Sequence, residues 1–244
     1  RNPTMNLTAK VHTCTDGTPV FTRWLEITRN GEMPIAIMGV APWAGKLWGK
    51  DAPFFLGHSP AKEVGNEGRF TWTELGVGSN VILNDTDHLW DDPYFVLRNA
   101  YNEEYFFGQL AWAANYKMEF EKNEGLSFSV GPVASKVLRV IDPGETIVTP
   151  KVHLGCTRNG FDVAVQSMHD HIRRSVFPKR DPEKSYRSQY LVPGDWAICH
   201  YVGENFTEEN MMKCIDVAAA AGLEVFILDG PTWVEGYGNW LVPH

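Results

Sequence analysis

Apolar residues recur along the chain with two different periods, and the change from one to the other falls near residue 160. Up to about residue 155 the period is two. Tyr116, Met118 and Phe120 alternate with Lys117, Glu119 and Glu121, which puts apolar side chains on one face of a strand and charged ones on the other. Asn123-Glu124-Gly125 reads as a turn, and Leu126, Phe128 and Val130 then alternate with Ser127 and Ser129, so the two runs predict a hairpin. Asp16-Gly17 marks a turn ahead of residues 20–28, a run rich in β-branched and aromatic side chains. Asp142-Pro143-Gly144 places proline and glycine where a type II turn wants them, and Val148, Val152 and Leu154 are expected on one face of a further strand. No helical period of any length occurs here. Many short strands between regular turns predict an antiparallel β-sandwich.

Beyond residue 160 the period lengthens. Val165, Met168, Ile172 and Val176 are spaced 3, 4 and 4, which predicts one apolar stripe of an amphipathic helix. Asp162 stands at its start and Arg173 and Arg174 towards its end, as the helix dipole favours, and Pro178 ends it. Residues 179–188 are charged and contain proline, a linker composition. A βαβ unit follows. Residues 189–198 form a strand interrupted by Pro193-Gly194. Thr207 then caps a helix whose first turn holds Glu208 and Glu209 and whose apolar face is Met211, Ile215 and Ala218, with Gly222 as its stop. Residues 223–228 are an almost unbroken apolar run, as a parallel strand covered on both faces requires, and end in Asp229-Gly230. The expected organisation is a sandwich with a C-terminal linking helix over 1–178, a linker over 179–188 and the start of an α/β unit over 189–244. In α/β folds ligands meet the C-terminal ends of the strands. Asp229 occupies such an end, with Trp233 and Trp240 after it. The competing reading is an acid that caps the next helix.

Composition narrows the function classes. The 22 basic and 30 acidic residues give a net charge of −8, and that sign argues against the basic face a nucleic-acid binder needs. No apolar run approaches the ~18–20 residues that span a bilayer, and Arg1-Asn2-Pro3-Thr4 carries no signal-peptide core. A soluble chain of open compartment is therefore expected. Cys14, Cys156, Cys199 and Cys214 are widely spaced with no zinc-ligand rhythm, which fits reduced thiols. His169 and His171 flank Asp170, but residues two apart on a helix do not share a face, so no metal site is expected there. No glycine-rich phosphate loop occurs, so no cofactor is indicated. Trp43, Trp48, Trp72, Trp90 and Trp112 fall in the first half, either as sandwich core or as platforms for the C–H face of a pyranose.

Four stretches resemble one known family. Asp91-Asp92-Pro93-Tyr94, continuing to Phe107-Gly108-Gln109-Leu110-Ala111-Trp112, is the first. Asp142-Pro143-Gly144-Glu145 through Thr149-Pro150 is the second, and His169 to Arg174 the third. The fourth runs from Trp196 through Phe206-Thr207-Glu208-Glu209 and Gly222 to Asp229, and on to Trp233 and Gly238-Asn239-Trp240. Together they resemble glycoside hydrolase family 36, the α-galactosidase-like enzymes, in its N-terminal sandwich and the opening of its (β/α)₈ barrel.

That resemblance implies a retaining glycosidase acting on α-galactosides or related α-linked glycans, with two carboxylates about 5–5.5 Å apart. It places both carboxylates on later barrel strands, so the catalytic pair is expected beyond His244 and this chain alone is expected to be inactive. Matched position by position, Asp229 is similar to the first of two acids that bind sugar hydroxyls, Trp233 to the aromatic that follows, and Trp196 to a tryptophan ending the first strand. Gly230 stands where the family has its second acid. A lost charged hydrogen bond of that kind is worth about 1.5–3 kcal/mol, enough to change which sugar is preferred. The implied partner is an oligosaccharide or glycoside substrate, with homo-oligomerisation of the full-length parent through the sandwich; neither nucleic acid nor membrane is expected. The alternative reading is a non-catalytic carbohydrate-binding β-sandwich.

Overall fold

A computed structural model describes residues 2, 4–47, 52–60, 69–84, 92–177, 191–193, 207–223 and 225–227. The chain divides into two compact units, Arg1–Phe177 and Pro178–His244.

Among the described residues, the first unit holds fourteen strands and one α-helix. The strands are β1 (Leu7–Thr15), β2 (Val20–Arg29), β3 (Ile35–Ile37), β4 (Trp43–Leu47), β5 (Phe54–His58), β6 (Thr71–Glu74) and β7 (Gly78–Asn84). They continue as β8 (Tyr94–Asn99), β9 (Glu104–Leu110), β10 (Tyr116–Lys122), β11 (Leu126–Pro132), β12 (Arg139–Ile141), β13 (Thr146–Val148) and β14 (Val152–Thr157). The large sheet runs β1-β2-β14-β9-β8-β5-β6, with β13 also paired to β2, and the small sheet runs β4-β11-β10-β7. Every pairing in both is antiparallel. The expected mostly-β sandwich is the observed architecture.

Alternation decides which side chains meet. Phe95 and Leu97 of β8, Leu110 of β9 and Val152 and Leu154 of β14 face Ile82 of β7, Tyr116, Met118 and Phe120 of β10, and Leu126 and Val130 of β11. These residues form one core between the sheets. Tyr116, Met118 and Phe120 are buried as their spacing predicts, and Phe95 meets Phe120 edge-on at 5.0 Å. The opposite face of the large sheet has its own cover. Val20, Val96, Tyr105 and Phe107 pack against Ala164 and Met168 of helix α1 (Phe161–His171). The large sheet is thus a middle layer, sealed on one side by a sheet and on the other by a helix.

Two expectations need correction. Val148 does not share a strand with Val152 and Leu154: Pro150 lacks the N–H that would continue the ladder, β13 ends, and Val148 is 63% exposed. Thr149 bridges the break, its N–H donating to the Leu25 carbonyl and its Oγ1 accepting from the Leu25 N–H, each at 2.9 Å. The second correction concerns α1. Its buried face is Ala164, Ser167, Met168 and His171, whereas Val176 is 44% exposed. The cause is a π-helical stretch, Ile172–Val176, whose extra residue per turn swings Val176 off the stripe.

Of the second unit, three elements are described: β15 (Leu191–Pro193), helix α2 (Glu208–Ala220) and β16 (Val225–Ile227). β15 and β16 pair in parallel, Leu191 opposite Val225 and Pro193 opposite Ile227. Strand, helix and parallel strand make the expected βαβ unit.

Candidate functional site

The βαβ unit is positioned by local chemistry that the sequence spells out. Thr207 adopts extended backbone angles and its side chain accepts from the Asn210 N–H at 3.3 Å, so α2 starts there. Met211 and Ala218 are its buried residues. At the other end Gly222, with φ of +80°, takes the left-handed conformation that closes the helix; its N–H donates to Ala219 and that of Leu223 to Ala218, each at 3.0 Å. The chain then enters β16 beside β15, and the two strands run the same way in register.

Trp196 follows the last residue of β15 by three positions, and Asp229 follows the last residue of β16 by two. Trp196, Asp229 and Trp233, the three expected sugar-binding residues, lie outside the described residues, as do Trp48, Trp90 and Trp240. What is described is the frame: two parallel strands whose C-terminal ends lead towards Trp196 and Asp229.

The first unit holds the polar cluster that periodicity did not reveal. His171, 1% exposed, reaches from the end of α1, and its Nδ1 lies 2.8 Å from Asp16 Oδ2 in the β1–β2 turn. Its Nε2 lies 2.8 Å from Nδ1 of buried His153 on β14. Thr22 Oγ1 of β2 sits beside both rings, 3.1 Å from His153 Nδ1 and 3.4 Å from His171 Nε2. Asp16 is held on every side. Its Oδ1 accepts from the Thr18 N–H at 3.0 Å and from the Thr18 hydroxyl at 2.6 Å, its Oδ2 accepts from the Ser175 hydroxyl at 2.5 Å, and Arg174 donates to its carbonyl at 3.1 Å.

Electrostatics follow from that geometry. Burial by itself would raise the Asp16 pKa, but hydrogen bonds from Ser175, Thr18 and His171 outweigh it and hold the carboxyl well below the usual range. Burial, reinforced by the charges of His171 and Lys151, pushes the His153 imidazole down to about 4, with Asp16 opposing. His169 is exposed while His171 is buried, so the two imidazoles of the helix face apart. Among the described residues no group of three His, Cys, Asp or Glu side chains could hold a metal ion, and no helix is long and apolar enough to cross a membrane.

The concavities of the first unit include two lined by described residues. One, of about 160 Å³, is lined by apolar side chains of both sheets, among them Phe21, Trp43, Leu97 and Phe128. The other is an open groove of about 420 Å³ beside β12 and β13, where Trp112 is 36% exposed among Ile37, Arg139, Thr146 and Thr149. Trp43 is core: it packs on Phe21 at 4.8 Å and Arg23 covers its ring at 4.1 Å.

No family model matches the chain. Among curated proteins it is similar to α-galactosidase Mel36A of Lactobacillus acidophilus, 24% identical over 219 residues that cover 86% of this chain and 29% of that protein. It is also similar to α-galactosidase 1 of Pediococcus pentosaceus, 26% identical over 144 residues, 55% of this chain and 19% of that one. Among solved structures it superposes on a family 36 α-galactosidase, an AgaA variant from Geobacillus stearothermophilus in complex with raffinose. The TM-score is 0.72 at 17% identity, over 98% of this chain and 34% of that one. The galactosidase domain of the α-galactosidase–sucrose kinase AgaSK gives 0.69 at 17% identity, over 93% and 32%. The chain spans about a third or less of the length of these relatives. The chain is thus similar in sequence to curated α-galactosidases, and its fold matches that of the N-terminal region of glycoside hydrolase family 36 enzymes.

Proposed function

We propose that this chain is the N-terminal part of a retaining glycoside hydrolase acting on α-galactosides or related α-linked glycans. In this reading residues 1–178 form the sandwich and linking helix, 179–188 the linker, and 189–244 the first βαβ unit of a (β/α)₈ barrel. The observation that carries it is the parallel register of β15 and β16, since barrel enzymes bind substrate where parallel strands end, and Asp229 and Trp196 come within three residues of those ends. The Asp229 carboxylate accepts paired hydroxyl hydrogen bonds from the sugar, and the indoles of Trp196 and Trp233 pack on its apolar face. Gly230 offers no side-chain acceptor beside Asp229, so the preferred sugar departs from that of an enzyme with two acids there. The catalytic carboxylate pair belongs to later strands of the parent enzyme, one as nucleophile and one as acid/base.

Titrating the chain with galactose, glucose and raffinose while following the tryptophan indole N–H signals tests this. Saturable shifts of Trp196 and Trp233 are expected, weakened at least tenfold in Asp229→Ala, given about 1.5–3 kcal/mol for a charged hydrogen bond. A sugar that moves neither indole overturns the reading. The groove beside Trp112 favours a second one, a carbohydrate-binding sandwich without catalysis, because it offers an open indole flanked by Arg139, Thr146 and Thr149. Shifts confined to Trp112 in the same titration select it.

A further inference from the structure

We propose that the Asp16–His171–His153 chain is an acid-sensitive latch, which ties the π-helical end of α1 to the sheet while the histidine pair holds at most one extra proton and releases it when the pair takes a second. Next to the Asp16 carboxylate, which only accepts, His171 must donate through Nδ1. Its Nε2 then faces His153 Nδ1 across 2.8 Å, a distance with room for one hydrogen between the rings. With the pair neutral, His153 donates to the bare Nε2 of His171. With one added proton the bond reverses or is shared, and the carboxylate balances the charge. Two added protons put an N–H on each facing nitrogen. Thr22 Oγ1, at 3.1 and 3.4 Å, can take one of them, but the rings must still part. Such a pair titrates in two separated macroscopic steps.

Among the described residues, Asp16 is the carboxylate that faces the pair. From the β1–β2 turn comes Asp16, from the residue just before β14 Lys151, and from the π-helical stretch Arg174, bound to the Asp16 carbonyl; β2 contributes the uncharged Thr22. Two of the three charged groups are cations, so the second proton meets repulsion. The low proton affinity of His153 agrees with this geometry. Asp16 binds His171, Arg174 and Ser175 at once, so the His171 ring cannot move away from His153 without disturbing the contacts that hold the stretch Ile172–Val176.

The test uses the full 244-residue chain. Histidine nitrogen NMR between pH 8 and 3.5 reads the protonation steps, and amide hydrogen exchange, corrected to protection factors, reads residues 168–177 against the core strand β10. We expect the second proton to enter the pair only below about pH 5, each unit of depression being a tenfold loss of proton affinity. Protection of 168–177 should fall at least tenfold across that step while β10 stays protected. In His153→Gln, which keeps a hydrogen-bonding group but cannot charge, protection of 168–177 should persist through pH 4. Should His153→Gln not fold, Thr22→Val serves: removing the shared acceptor should move the opening to higher pH. Both imidazoles charging together near pH 6.5 with no change at 168–177 overturns the latch, as does a pH profile that neither substitution moves.

Discussion

The sandwich and the α/β segment of this chain reach stability by different means, and the contrast shows where each depends on its neighbours. In the sandwich, every inner strand of the large sheet is paired on both sides, and the sheet is covered by a second sheet on one face and by α1 on the other. Its interior is filled by large side chains that exclude solvent almost completely. In the α/β segment the described sheet has two strands of three residues, and α2 buries Met211 and Ala218 while Met212 and Val217 stay exposed. A two-stranded sheet is marginal on its own in water. The sandwich therefore carries its own core, whereas the described residues of the unit proposed to hold the sugar bury little apolar surface.

The contrast can be broken or sharpened by substitution. Phe120→Ala removes a fully buried ring that Phe95 meets edge-on, and should cost about 3–5 kcal/mol. Urea unfolding followed by β-sheet circular dichroism measures it; a loss below about 1 kcal/mol would mean the sheets do not close over β10. Gly155→Ala is smaller. A methyl group there meets the Phe107 ring, which is fully buried and cannot retreat, and comes within 3.0 Å of the Pro19 carbonyl oxygen. About 1–3 kcal/mol of overpacking is expected in the same experiment.

In the α/β segment, Thr207→Ala removes the side-chain cap of α2 and should cost about 1 kcal/mol of local stability. Hydrogen exchange should show faster exchange across residues 208–220 with β10 unaffected; a matching loss in β10 would mean the two units unfold as one. Smallest of all, Lys213→Ala breaks an exposed pair with Glu209 at 2.7 Å and should change stability by no more than about 0.5 kcal/mol.

How far the sequence revealed this structure depended on the range of the interactions. The β10–β11 hairpin was legible because its alternation is local and each apolar position lands on the buried face, Tyr116 to Val130. The α2 caps were legible for the same reason, since Thr207 and Gly222 act within four residues of themselves. Val148 was misplaced although Pro150 stood in plain view, because alternation was followed through a residue that cannot donate to the ladder. The helix stripe was drawn through Val176 because a π-helical stretch leaves no mark in residue spacing. The histidine pair was invisible for a deeper reason. His153 lies between Val152 and Leu154 like any outward residue of a strand, and its partners stand 18 and 131 positions away, Asp16 155 positions from His171. Of the site, the strand–helix–strand frame was readable, and Asp229 was singled out by its place at the end of an apolar run; the sugar-binding roles of Asp229, Trp196 and Trp233 rest on resemblance, and all three lie outside the described residues.

The place of β14 in the large sheet has a consequence for how the protein is made. Residues 152–157 lie between β2, from the beginning of the chain, and β9, from its middle. A nascent chain that has emerged only as far as Pro132 therefore holds two half-sheets with raw inner edges, β1–β2 on one side and β9–β8–β5–β6 on the other. Closure waits for β14 to leave the ribosome, and pairings this distant along the chain are slow to form. Until then both edges are open to strands of other molecules, so the yield of soluble protein should respond more to the pace of synthesis and to chaperones than to the final stability of the fold.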